Sequence, residues 1–214
     1  MITLYHCAGS RSFRALWALE ELGVPYVLKM IPFPPRAHVP NYLEVNPLGT
    51  VPALYDGDQL MTESAAITQY LVTRYGPSSL AVAPDEPDYA TWLNFLHMGE
   101  ATLTFPQTLY LRYALFEPDE RKQPQVAGDY VQWFLSRLKG VAVILGDREY
   151  LAADRFTAAD ISVAYALRLA SERLGVRDKF PPNIAAYWAR MSARSGYLKA
   201  VATETGDPRA GATR

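Results

Sequence analysis

The chain has 214 residues, half of them hydrophobic and a fifth charged, which is the composition of a folded soluble protein and enough length for one large domain or two small ones. A formal net charge of -1 supplies no basic field for nucleic acid and no polybasic membrane patch, and no stretch reaches the roughly 18 apolar residues of a membrane span. A lone cysteine, Cys7, excludes an internal disulfide framework or a CxxC pair, His6, His38 and His97 are too scattered to ligate a metal, and Met1-Ile-Thr-Leu-Tyr-His does not read as a secretory leader, so a cytoplasmic location is expected.

Ile2 to His6 reads as a short apolar strand, followed by the turn Cys7-Ala-Gly9-Ser10-Arg11-Ser12 and a helix from about Arg11 to Leu22. Gly23 and Pro25 end that helix. Tyr26 to Ile31 is predicted as a second strand, and Pro32 through Asn41 as an irregular loop, too rich in proline for the interior of a sheet. Pro52 opens the apolar run to Tyr55; a strand that begins at a residue with no amide hydrogen leaves the backbone groups of Val51 free. Asp56-Gly57 supplies a hairpin turn and Gln59 to Met61 runs back antiparallel. Thr62-Glu63-Ser64 then opens a helical stretch that stops at Tyr75, Gly76 and Pro77. Strand, helix and strand followed by a hairpin and a helix make an α/β unit of thioredoxin type.

Three features of this unit describe a binding site when taken in order. The free amides of the second helix start, with the Ser64 hydroxyl, form a small anion site. Glu63 beside it can receive an ammonium group. The edge at Val51-Pro52 can pair with a peptide backbone. Each feature alone has a plain structural meaning, as a helix cap or the start of an edge strand. Together they suit a ligand with an amino-acid end and a peptide-like middle, which is the form of glutathione. The strand-to-helix turn at residues 7–12 then lies where the thiol of that ligand would be.

Three residues compete for the thiol. Ser10 follows Gly9 at a helix entrance, where its hydroxyl can donate to a thiolate and the positive helix end lowers the thiol's pKa; its structural alternative, shared with Ser12, is a helix cap. Tyr5 lies still within the strand. Cys7, an unpaired cysteine, is of a kind most often buried and inert.

Residues 77–88, with the preceding glycine, form a proline-rich linker, and the pattern beyond is helical: Tyr89 to about Tyr113 with a kink at Pro106, then Gln125 to Leu145, Thr157 to Leu174 and Asn183 to Ala202. The domains expected are therefore 1–76, α/β and thioredoxin-like, and 89–202, all-helical, with 203–214 as a flexible tail. Thr157-Ala-Ala-Asp160 reads as a capping box, a folding element and not a catalytic carboxylate. Large apolar side chains crowd the first long helix; most are core, and a minority between Met98 and Tyr113 are candidates to line a pocket for a second substrate.

Val51-Pro52 followed by Glu63-Ser64 resembles the glutathione site of the cytosolic glutathione S-transferases, in which Val-Pro holds a cis proline and Glu-Ser binds the γ-glutamyl group. Leu4-Tyr5-His6-Cys7-Ala8-Gly9-Ser10 is similar to the turn of serine-type members, bacterial ones included, and this favours Ser10 over Tyr5 and Cys7. Tyr150 to Asp160 resembles the capping motif of that family, and Ala193-Arg194-Ser195-Gly196-Tyr197 its late-helix pattern, so the likeness runs from Ile2 to about Ala202. It implies a cytoplasmic homodimer that uses glutathione as co-substrate and no metal, and conjugates its thiolate to an electrophilic, mostly apolar small molecule in detoxification. Gly49 and Ala65 stand where some serine-type classes carry a histidine and an arginine. Two other readings share these residues: a non-catalytic transferase-like binding protein, and a thiol-disulfide reductase using Cys7.

Overall fold

Strand β1 (Ile2–His6) alternates buried Ile2, Leu4 and His6 with half-buried Thr3 and Tyr5, the period-two pattern of a strand with two unlike faces. It pairs in parallel with β2 (Tyr26–Met30) and antiparallel with β3 (Ala53–Asp56), which in turn pairs with β4 (Gln59–Met61), giving the order β2-β1-β3-β4. The parallel pair is joined by helix α1 (Phe13–Leu22), and the hairpin turns at Gly57-Asp58, one residue beyond the Asp56-Gly57 expected, because Asp56 still pairs with Gln59 and it is Gly57 that takes the positive φ of 59°. Helix α4 (Ser64–Arg74) follows. This mixed four-stranded sheet with its crossover helix is the thioredoxin-like unit expected.

Helix α1 is buried from Phe13 through Leu19, because it packs on β1 and against both α4 and α10 (Ser195–Thr205), the last helix among the described residues. Tyr197 of α10 meets Trp17 edge-on at 5.0 Å and Phe13 at 5.6 Å. Arg194 donates two hydrogen bonds to Glu21, at 2.9 and 3.0 Å, and Gly196 lies so close that a Cβ there would stand 2.5 Å from the Glu21 carboxyl carbon. The Arg194-Ser195-Gly196-Tyr197 pattern is therefore a docking device, with a charged fork, a close approach and an aromatic wedge in succession.

The described residues depart from four expectations. The described residues, 1–206 of the computed structural model, divide into one unit of Met1–Ala81 with the chain from Ser192 onward, and a second of Val82–Met191. The final helical residues thus group with the sheet, where the sequence reading carried the helical domain through residue 202. The single helix expected from Asn183 to Ala202 is two, α9 (Pro182–Ser192) and α10, parted at Arg194, whose extended backbone lets its side chain reach Glu21. Of the tail expected at 203–214, residues 203–205 belong to α10 and Glu204 is buried, while 207–214 lie outside the described residues. The predicted loop from Pro32 to Asn41 contains the helical turn α2 (Pro35–His38), with another, α3 (Tyr42–Val45), just beyond. Proline is well placed there, since Pro35 opens a first turn in which its missing amide hydrogen has no intrahelical acceptor to lose.

In the second unit, α5 (Tyr89–Met98), α6 (Phe105–Tyr110), α7 (Pro124–Leu145) and α8 (Ala158–Leu169) pack together, and every residue of α8 is buried. Ser162 of α8 donates to the Leu96 carbonyl at 2.6 Å, and Gly99 sits so tightly on Ser162 that any Cβ would clash. The kink expected at Pro106 is a pair of π-helical stretches, Gly99–Thr104 and Leu111–Phe116, flanking α6. Pro106 stands in the first turn of α6, where the wider winding before it removes the need for its amide hydrogen. At the start of α8 the capping box is present: Thr157 is the N-cap, and Asp160 accepts from its backbone amide at 2.8 Å.

Candidate active site

All the residues singled out from the sequence for glutathione lie in the first unit, while the candidates between Met98 and Tyr113 for a second substrate lie in the second. Val51 and Pro52 are joined by a cis peptide bond and lie just past the β1–β3 ladder, whose last pair is Tyr5 with Ala53. They therefore run beside the turn that leaves β1, and Val51 packs with Cys7 and Tyr42. Asn46, fully buried, builds the approach. Its side-chain carbonyl accepts from the Leu48 amide at 3.0 Å, its NH2 donates to the Thr50 carbonyl at 2.8 Å, and Gly49 between them takes a φ of 65°. The Thr50-Val51 backbone is thereby held by a buried side chain and not by a strand partner.

Glu63, exposed, is the N-cap of α4, and its side chain makes no capping bond. Ser64 behind it is buried, and its hydroxyl accepts from the guanidinium of Arg14 at 3.1 Å. Arg14 is itself fully buried on α1. A helix start already attracts anions through its unpaired amides, and a buried guanidinium bonded to its first hydroxyl adds a fixed positive charge beneath it. The sequence reading missed Arg14. The signal was there, since Phe13, Ala15, Leu16 and Trp17 around it are core residues and a cation in such company needs acceptors.

The Gly9–Ser12 turn precedes the same helix. Gly9 takes a φ of 69°, and its amide donates to the Glu204 carboxylate of α10 at 2.8 Å. Ser10, half-buried, accepts from the Ser12 amide at 3.3 Å, so its hydroxyl has part of the capping role weighed above. Ser12 does not cap α1; its hydroxyl lies 2.7 Å from Ser10 Oγ and 2.7 Å from His6 Nδ1, and accepts from the Cys7 amide at 3.3 Å.

The other two thiol candidates are placed differently. Tyr5 points to the face of the sheet opposite His6, where its ring meets Tyr42 and Tyr55 edge-on at 6.2 and 6.4 Å in the small core around Cys7. Cys7 is 1% exposed, its thiol donates to the Pro32 carbonyl at 3.5 Å, and burial pushes that thiol up to about 11. A buried thiol of this kind is a weak nucleophile near neutral pH. Among the described residues no group of histidine, cysteine and carboxylate side chains is arranged to hold a metal ion, and no helix is long and apolar enough to cross a membrane.

Residues 4–79 match the family model of the glutathione S-transferase N-terminal domain, and residues 101–195 that of the C-terminal domain. Glutathione S-transferase 3 of Schizosaccharomyces pombe is 30% identical, with 89% of this chain and 82% of that protein covered. Glutathione S-transferase 3 of Zea mays is 29% identical over 88% of this chain and 87% of its own. Among solved structures, the glutathione transferase URE2P6 of Phanerochaete chrysosporium in complex with oxidized glutathione superposes with a TM-score of 0.83 at 26% identity, covering 96% of each chain. The bacterial transferase BphK, solved as a ternary complex, superposes with a TM-score of 0.82 at 25% identity, over 95% of this chain and 99% of that one. With the two-part architecture expected of it in place, the chain belongs to the glutathione S-transferase family.

Proposed function

We propose that this protein binds glutathione along Val51, Pro52, Glu63 and Ser64 and conjugates its thiolate, held by Ser10, to an electrophilic, mostly apolar small molecule. The observation that carries the reading is the Arg14–Ser64 hydrogen bond. Arg14 stands one helical turn beyond Ser10, so a single buried side chain ties the helix that begins at the thiol end of the site to the helix start that takes the γ-glutamyl carboxylate. The peptide middle of the ligand pairs with the free backbone at Val51, and Glu63 receives the ammonium group. The protein's contribution to the reaction is then proximity and electrostatic stabilisation of the thiolate.

Tyr5, committed to aromatic packing, is the weaker alternative to Ser10. The burial of Cys7 argues against the reductase reading, and a Cys7→Ser variant with unchanged turnover removes it. Action in the cytoplasm as a homodimer belongs to the same proposal; light scattering of the purified chain reads the dimer directly.

The deciding measurement is the ultraviolet thiolate absorbance of bound glutathione against pH, for wild type and Ser10→Ala, together with conjugation of an aryl halide. Wild type is expected to hold thiolate near neutral pH, and Ser10→Ala to lose turnover with little change in glutathione affinity. Binding without conjugation of any electrophile favours a non-catalytic binding protein.

A further inference from the structure

The peptide between Thr50 and Val51 is gripped from one side. Tyr42 opens the helical turn α3 and Asn46 caps its end, a four-residue spacing that brings their side chains to one side of the turn. Both reach the same atom: the Tyr42 hydroxyl donates to the Thr50 carbonyl at 2.9 Å, and the Asn46 NH2 group donates to it at 2.8 Å. Neither contact can run the other way, because a carbonyl oxygen only accepts. The Asn46 amide cannot be turned over either, since its oxygen accepts from the Leu48 amide. Both side chains are buried, and Tyr42 packs with Cys7 and Val51 while its ring meets Tyr5 edge-on, so the two donors are fixed by packing. Burial also pushes the Tyr42 phenol up to about 12, which keeps its hydrogen in place at neutral pH.

The Thr50–Val51 bond is trans, unlike the Val51–Pro52 bond that follows it. In a planar trans peptide the C=O and the N–H point in opposite directions. A Thr50 carbonyl aimed at Tyr42 and Asn46 therefore aims the Val51 N–H away from them. That hydrogen meets no acceptor among the described residues, because β3 begins only at Ala53, opposite Tyr5. With two donors already on it, the Thr50 oxygen has no lone pair left for a ligand. What this peptide offers is a single N–H donor with a fixed direction.

We infer that Tyr42 is a positioning residue of the glutathione site: its hydroxyl, with the Asn46 amide, locks the Thr50–Val51 peptide so that the Val51 N–H is presented to the cysteinyl carbonyl of the ligand. The inference rests on the reading that the peptide middle of glutathione pairs at Val51. It adds a residue that never touches the ligand, and it gives the contact a polarity, since the ligand must bring an acceptor to this point.

Tyr42→Phe keeps the ring in its packing and removes only the donor. KM for glutathione is expected to rise about fivefold, the scale of one neutral hydrogen bond, with a smaller effect on kcat. γ-Glutamyl methylamide, which has the γ-glutamyl group and lacks the cysteinyl carbonyl, is expected to inhibit wild type and Tyr42→Phe with constants within about twofold of each other. A merely structural loss would weaken both ligands alike. The preference for glutathione over the methylamide is read on folded molecules only, so partial unfolding does not blur it, and thermal melting reports folding separately. Asn46→Asp keeps the acceptor for Leu48 but sets an oxygen against the Thr50 carbonyl, and should lower that preference at least as far. In isotope-labelled wild type the Val51 amide resonance should move when glutathione is added. If glutathione binds without moving it, the pairing at Val51 falls and the inference with it. If it moves in wild type while folded Tyr42→Phe keeps the full preference for glutathione, Tyr42 only packs, and the inference is overturned whatever Asn46→Asp does.

Discussion

Two helix starts in this protein have nearly the same ingredients and opposite uses. At α8, Thr157 and Asp160 close the end: Asp160 is fully buried and accepts from the Thr157 amide, the Leu151 amide at 3.1 Å and the Tyr187 hydroxyl at 2.9 Å. At α4, Glu63 and Ser64 leave the end open. No side chain caps it, the carboxylate is exposed, and the serine is turned back onto a buried arginine. The orphan amides of a helix start are a fixed quantity, so whatever the chain's own side chains take is withheld from a ligand. A carboxylate pointed inward at such a start makes structure, and one pointed outward leaves the amides to the anion proposed above.

The largest effect that tests the contrast is on the closed start. Asp160→Ala leaves the Thr157, Leu151 and Tyr187 donors without their acceptor in a buried setting, and should destabilise the protein by about 3 kcal/mol, several times the effect of an ordinary cap. Activity per folded molecule should survive. Urea unfolding alongside turnover corrected for the folded fraction measures both, and a large loss of turnover with unchanged unfolding would make Asp160 part of the chemistry. Ionisation sharpens the same point. Burial lifts the Asp160 carboxyl to about 6 against the pull of its hydrogen bonds, while the unfolded chain titrates near its ordinary value of 3.8. Between those values the folded chain holds the extra proton, so stability is greatest at the acid end and falls as pH rises through about 6. The stability of wild type relative to Asp160→Asn should decline across that window. A flat difference would mean that the hydrogen bonds balance burial, and a rising one that they outweigh it.

At the open start, Ser64→Ala should weaken glutathione binding about tenfold, the scale of a hydrogen bond to a charged group, and should also lower stability, because the buried Arg14 guanidinium loses an acceptor. The Thr68 hydroxyl bonds the Ser64 backbone carbonyl at 2.8 Å, which the substitution keeps, so the stability change reads the Arg14 contact and not the backbone of α4. Calorimetry with glutathione and with an analogue lacking the γ-glutamyl group should show wild type discriminating strongly between them and Ser64→Ala weakly. Equal affinity of wild type for the two would show that this helix start takes no part in binding.

Much of this was legible in the sequence because it is local. The hairpin near Gly57 and the Thr157–Asp160 spacing each state their structure within a few residues, whereas Pro52, read as heading an edge strand, precedes β3, which β1 and β4 pair on both sides. What escaped is what depends on distant partners. Arg14 meets Ser64 from 50 positions away, and Glu204 meets Gly9 from 195. A small, polar, glycine-containing terminus also reads as a tail, yet α10 is held by Tyr197 on Trp17 and by Arg194 on Glu21. Nothing local marks those pairs. The winding around Pro106 was misread for another reason: a proline announces a missing hydrogen bond, but not whether the helix answers with a kink or with a wider turn.

The smallest expected effect concerns Glu63, and it probes the open start most directly. Its carboxylate is exposed and makes no capping bond, so Glu63→Gln removes a charge that folding does not use, and melting should be unchanged. An ion pair between an exposed carboxylate and a ligand ammonium is screened by water and salt and contributes about 0.5 kcal/mol, which corresponds to a two- to threefold rise in KM for glutathione. Turnover at saturating glutathione should be the same, since the contact is made equally in the ground and transition states. The rise should shrink as salt is added, because the Debye length falls from about 10 Å at 0.1 M to about 3 Å at 1 M. Initial rates over a range of glutathione and sodium chloride concentrations, for wild type and Glu63→Gln, measure all of this. A tenfold or larger effect that ignores salt would show that Glu63 is desolvated when the ligand binds, and a loss of thermal stability would show that the outward carboxylate caps its helix as Asp160 does.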